Sequence, residues 1–144
     1  MAVIASPTYL KRNGIPKTPR DLRSHRCINI RLPSAGTLYK WEFERGAEKM
    51  EVAVEGPLVF DGGVMVMDAA LAGIGLGYVL EDRAFDHLRS GALVRVLADW
   101  CPPFAGFYLY YPGRRQLSPA LAVFIEAIRV PAPAKRRRWG VIGL

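Results

Sequence analysis

The sequence predicts a mixed α/β fold, a mainly parallel sheet flanked by helices, and two features carry that prediction. The first is residues 57–81, PLVFDGGVMVMDAALAGIGLGYVLE, which read as strand, tight turn, helix, tight turn, strand. Leu58, Val59 and Phe60 form a short apolar run. Val64, Met67, Leu71 and Ile74 then recur at helical spacing, and a second apolar run starts at Leu76. A crossover of this length joins parallel strands and lays its helix on a face of the sheet. The second feature is the rest of the chain, where further runs of strand length alternate with helix starts of the Ser-Pro or Thr-Pro type.

Taken in order, residues 2–5 are an opening strand. Ser6-Pro7 supplies an N-cap and a first helical residue, and Asn13-Gly14 closes that helix. Thr18-Pro19 repeats the device, with Asp21 placed as in a capping box, for a second short helix ending near His25. Residues 27–32 alternate as a strand. Residues 39–43 put Tyr39, Trp41 and Phe43 on one face, and residues 50–54 pair back as a hairpin. In the central unit Asp61 is the expected N-cap, and Gly73 and Gly75 are the expected stop. Residues 81–88 form an amphipathic helix and 93–97 a strand. Pro102 and Pro103 stiffen a linker, 107–111 is an aromatic strand, and Ser118-Pro119 opens a last helix with Leu121, Phe124, Ile125 and Ile128 on one face. From Pro131 the chain loses period and reads as a basic tail.

With 144 residues, 51% hydrophobic and 23% charged, the chain has the composition of a folded domain rather than a disordered one. No apolar run reaches the roughly 18 residues of a membrane span, and the N-terminus lacks the basic region of a secretory signal, so no membrane partner and a cytoplasmic location are expected. Cys27 and Cys101 have no metal-ligand spacing and read as two buried thiols, with a disulfide as the alternative. The net charge of +7 is uneven: the first 31 residues hold seven Lys or Arg against Asp21 alone, residues 42–99 are acidic, and Lys135, Arg136, Arg137 and Arg138 crowd the tail. A basic tail either attracts nucleic acid or is simply solvated.

The motifs that suggest catalysis do not survive inspection. Gly73, Gly75 and Gly77 lie after a helix and before a strand, the reverse of the order that a dinucleotide fingerprint needs. Glu81 and Asp82 suit a helix N-terminus, His25 suits a surface or helix end, and no Ser/His/Asp or Cys/His arrangement is visible. No enzyme, no cofactor and no metal is expected. The Asp61–Gly63 turn is the first candidate for a binding edge, because ligands of such sheets sit beyond the carboxyl ends of the strands.

The whole series resembles a known family. SPTYLKRNGIPKTPRDLRSHRCINIRLPSAGTLYKWEF, then LVFDGGVMVMDAALAGIGLGYVLED, LVRVLADWCPPF and YLYYPGRRQLSPALAVFIEAIR, is similar to the second lobe and closing elements of the effector-binding domain of LysR-type transcriptional regulators, over roughly residues 2–130. The resemblance implies a lobe like those of type 2 periplasmic binding proteins, residues 1–98. Residues 99–130 would be a linker, strand and helix of an incomplete first lobe, and 131–144 an unstructured tail.

By the same resemblance the chain senses a small-molecule effector in an interlobe cleft to modulate transcription, with a stand-alone binding domain or a dimerising fragment as the alternative. It implies self-association or pairing with a full-length relative. DNA would be reached only through a winged helix-turn-helix, which is absent here, so the chain is expected to be a truncated C-terminal piece. The cleft residues carried over are Pro33, Ser34, Gly36 and Thr37 in one loop and Asp61, Gly62, Gly63 and Val64 at a helix start. Their own chemistry supports either plain turns or an anion site made of hydroxyls and free N–H groups.

Overall fold

The structure, a computed structural model, describes residues 1–32, 36–103 and 118–128. It divides into two compact units, Met1–Ala105 and Gly106–Leu144. Seven strands are described in the first unit: β1 (Ala2–Ala5), β2 (Cys27–Ile30), β3 (Trp41–Arg45), β4 (Glu48–Val52), β5 (Leu58–Phe60), β6 (Leu76–Val79) and β7 (Val94–Val96). Its α-helices are α1 (Pro7–Asn13), α2 (Gly63–Leu71) and α3 (Glu81–Ser90), with short 3-10 helices at Pro19–Ser24 and Ala98–Trp100.

Five strands form one sheet in the order β5-β2-β6-β1-β7. β2 is parallel to both β5 and β6, so the predicted β5–α2–β6 crossover passes over β2 and not between neighbours. β1 runs against both β6 and β7, which makes the sheet mixed. The strands alternate faithfully. Val3, Ala5, Cys27, Leu76 and Tyr78 face one core, while Ala2, Ile4, Ile28 and Val79 face the other.

The second core is covered by α2 and α3 through Val66, Ala69, Ala70 and Ala84. Burying one Val or Leu side chain fully stabilises by about 1.5–3 kcal/mol, so Ile4, Ile28 and Val66 hold this layer firmly. Two glycines are required by the path. Gly73 turns the chain after α2 at φ 74°, and at Gly75 a Cβ would stand 2.3 Å from the carbonyl oxygen of Arg26, where β6 enters beside β2.

The first core is covered by α1, the Pro19–Ser24 helix and the β3–β4 hairpin. Trp41 stacks on Tyr78 at 5.2 Å between ring centroids, its indole N–H donates to Asn29 Oδ1 at 3.3 Å, and the Tyr78 hydroxyl donates to the Glu42 carbonyl at 2.6 Å. The expected burial of Trp41 and Phe43 on one face is therefore present, although the hairpin strands run Trp41–Arg45 and Glu48–Val52, a little nearer their turn than the alternation suggested. Cys27 and Cys101 are free, buried thiols in this core, and burial pushes Cys27 up to about 12. Arg95 on β7 fastens the outgoing chain: Nη1 meets Glu81 Oε1 at 2.7 Å and Nη2 donates to the Cys101 carbonyl at 2.8 Å. Glu81 thus opens α3, as expected, and also anchors this clamp.

The starts of the early elements are built as the sequence predicts. Ser6 Oγ accepts the Tyr9 N–H at 3.2 Å, with Pro7 opening α1. Asp21 Oδ2 accepts the N–H groups of Thr18 and Lys17 at 2.9 and 2.8 Å, but the element it starts is a 3-10 helix. His25 closes that helix, half-buried, with Nδ1 3.2 Å from the Tyr9 hydroxyl, and burial lowers its pKa. In the second unit the described element is α4 (Pro119–Ile128), whose Leu121 N–H is accepted by Ser118 Oγ at 3.2 Å. The predicted strand at 107–111 and the tail at 131–144 lie outside the described residues.

Candidate functional site

The carboxyl ends of β2, β5 and β6 emerge together, because all three strands are parallel and adjacent through β2. Ile30 is in register with Phe60, and the next amide, that of Arg31, donates to the Phe60 carbonyl at 2.7 Å. That bond brings the two predicted segments side by side: the loop after β2 and the turn after β5.

The loop is held by its own backbone. Leu32 N–H donates to the Thr37 carbonyl at 2.9 Å, Gly36 N–H donates to the Leu32 carbonyl at 2.8 Å, and Arg31 Nη1 donates to the Gly36 carbonyl at 2.7 Å. Gly36 takes φ 64°, which glycine adopts at little cost. Gly36 and Thr37 are exposed at this edge. Pro33 and Ser34 lie outside the described residues.

The turn departs from expectation in one respect. Asp61 does not cap α2. The cap position falls one residue later, on Gly62, whose extended backbone (φ −150°, ψ 149°) leads directly into Gly63 as the first helical residue. A glycine has no side chain to accept a hydrogen bond, no acid lies in the first turn of α2, and no side-chain cap is made. The first N–H groups of the helix, at Gly63, Val64 and Met65, are left with their partial positive charge facing outward. Asp61 stays exposed beside them.

A cation stands where helix electrostatics would place an anion. A Cβ built on Gly63 would lie 3.9 Å from Arg83 Nη1, so the Arg83 guanidinium reaches from α3 to the start of α2. Sequence reading missed both Arg83 and Arg31. In the linear chain Arg83 follows two carboxylates that suit a helix start, and only the return of β6 beside β2 brings it across. Val64 and Met65, about half exposed, add apolar surface next to the free N–H groups. The arrangement combines backbone donors, cationic side chains and an apolar flank.

Elsewhere, an open depression of about 540 Å³ lies between the hairpin and Cys101–Pro103, floored by Phe43, Met50 and Tyr78. Among the described residues no group of three or more His, Cys, Asp or Glu could hold a metal ion, and no helix is long and apolar enough to cross a membrane.

Comparison with known proteins agrees on one family. The LysR substrate binding domain matches residues 1–130. A transcriptional regulator of Pseudomonas aeruginosa is 46% identical over 133 residues, which is 92% of this chain and 44% of that protein. The HTH-type transcriptional regulator PgrR of Escherichia coli is 35% identical over 129 residues, 90% of this chain and 43% of that protein. The full-length structure of the Vibrio cholerae virulence activator AphB, a member of the LTTR protein family, superposes with a TM-score of 0.60 at 25% identity, over 69% of this chain and 33% of that one. The chain thus spans less than half the length of these relatives, which are regulators and not enzymes. A mixed sheet shared with LysR regulatory domains, which have the type 2 periplasmic-binding-protein-like fold, and a family match over nine-tenths of the sequence place this chain in the LysR substrate-binding domain family.

Proposed function

We infer that this chain is the effector-sensing part of a LysR-type regulator, and that its effector is a small organic anion held at the carboxyl edge of β2, β5 and β6. The observation that carries the reading is the uncapped start of α2 on that edge, with Arg83 beside it. An anionic group there would accept from the N–H groups of Gly63 and Val64 and would relieve the opposition between Arg83 and the positive end of the helix. Thr37 supplies a hydroxyl, and Val64 and Met65 receive an apolar body.

On this reading the sensing lobe takes in the first compact unit, Met1–Ala105, and α4 belongs to a first lobe. In the cytoplasm such a module transmits effector binding to transcription through the rest of a regulator. The apolar stripe of α4, Leu121, Phe124, Ile125 and Ile128, recurs at helical spacing and supports self-association, which sedimentation would read directly.

A thermal-shift screen of matched pairs, each a small carboxylic acid and its neutral amide, tests the ligand class. At least one acid should raise the melting temperature well beyond its amide, and Thr37→Val should reduce that shift. If amides stabilise as well as acids throughout, the anion assignment fails.

A further inference from the structure

The cations between residues 11 and 26 differ from the other charged groups of the fold. Lys11 and Arg12 close α1, and Lys17, Arg20, Arg23 and Arg26 surround the Pro19–Ser24 helix. All six are exposed, and none forms an ion pair with a described residue. Asp21, the one acid in the stretch, is occupied by the backbone N–H groups of Lys17 and Thr18. Tyr9 draws the two halves together, since its hydroxyl accepts the Arg26 N–H at 2.9 Å and meets His25 at 3.2 Å. α1 and the end of the 3-10 helix therefore lie side by side over the first core.

The hairpin shows the contrast. Its cations are paired within it: Lys40 with Glu51, Lys49 with Glu44 and Arg45 with Glu48, at 3.2 to 3.8 Å. Its acids are consequently poor partners for the basic surface of a second copy. The basic surface is also unlike the centre of a protein interface, which is apolar and poor in lysine. Ile15 is its one exposed large apolar side chain. Four of the six cations are arginines, whose planar guanidinium grips phosphate with two parallel hydrogen bonds.

We propose that this surface binds the sugar–phosphate backbone of duplex nucleic acid without reading its sequence. Contacts of this kind position a protein on a duplex and carry no base information. They would keep the sensing lobe close to the DNA on which a regulator acts, independently of any effector.

The test is fluorescence anisotropy of the full chain with a labelled mixed-sequence duplex between 25 and 200 mM NaCl. Each neutralised phosphate contributes about 0.9 to the slope of log affinity against log salt. The triple variant Lys17→Gln, Arg20→Gln, Arg23→Gln should flatten that slope by about 3, on the same basis, and should weaken binding at least about tenfold at 50 mM salt, with an unchanged melting curve. A second variant, with Lys135, Arg136, Arg137 and Arg138 all changed to Gln, isolates the tail and should leave that loss in place. The proposal is overturned if the triple variant binds like the parent and only the tail variant loses affinity. It is equally overturned if polyglutamate of matched charge binds more tightly than the duplex, which would point to an acidic protein.

Discussion

Two helix starts in this molecule are built in opposite ways. α1 begins with Ser6 accepting the Tyr9 N–H and Pro7, which has no N–H, in the first helical position, and it serves the core through Tyr9 and Leu10. α2 begins with Gly62, which has nothing to offer its own N–H groups, and has Arg83 close by. The capped start lies against the sheet, while the uncapped one stands where three parallel strands end. A glycine at the cap position forgoes a few tenths of a kcal/mol relative to a good side-chain cap. The difference teaches where in this fold local stability is complete and where donors are kept for something else.

Substitutions at the two starts should break that comparison in different observables. The largest effect on ligand binding is expected from Arg83→Glu, which replaces an attraction by a repulsion at the α2 start. Affinity for an anion should fall well over tenfold, measured by calorimetry, with the fold intact because Arg83 is exposed.

Gly63→Pro should come next. Proline suits the first helical position, the extended Gly62 suits a following proline, and a Cβ there would meet Arg83 Nη1 at an ordinary 3.9 Å. The variant removes one N–H donor without breaking α2, so affinity should drop roughly tenfold, about 1.4 kcal/mol, while the melting temperature barely moves.

Ser6→Ala should show the reverse. It should cost about 1 kcal/mol of stability in denaturant unfolding and leave ligand affinity unchanged.

The smallest effect is a pH dependence confined to the capped region. The backbone N–H groups of Thr18 and Lys17 hold the Asp21 carboxyl below its usual value of 3.8. Its contribution is present in full above that value and is lost as pH falls through the lower folded-state value. Asp21→Asn should flatten the stability profile below about pH 4, whereas Gly62 gives α2 no corresponding titration.

The contrast also marks what the sequence made legible. Caps are local, so Ser6, Pro7, Asp21 and Ser118 could be read directly from their neighbours. The opening strand at residues 2–5, the strand after Arg26, the order of the elements and the burial of Cys27 and Cys101 follow from pattern and composition in the same way. The two candidate segments could be picked out as chain positions, whereas their adjacency depends on the Arg31–Phe60 bond between strands about thirty residues apart. Asp61 was misassigned because a capping residue and its neighbour differ only in backbone angles, which composition does not encode. Arg83 was missed because its role exists only after α3 folds back beside α2. Likewise, β1 sits between β6 and β7 because a first strand can pair wherever the sheet has room, and nothing within residues 2–5 names those partners.

The central claim is that the α2 start is left uncapped for an anionic ligand, and Gly62→Asp tests it most directly. The site has open space for the side chain, and its extended backbone suits any residue. An aspartate there would cap the helix and place a carboxylate where the ligand's should go. Melting temperature and affinity, measured on parent and variant with one acid and its amide, should move in opposite directions. The account predicts a slightly more stable protein, by a few tenths of a kcal/mol, that no longer prefers the acid. A variant that keeps the parent's preference for the acid at undiminished affinity would contradict it.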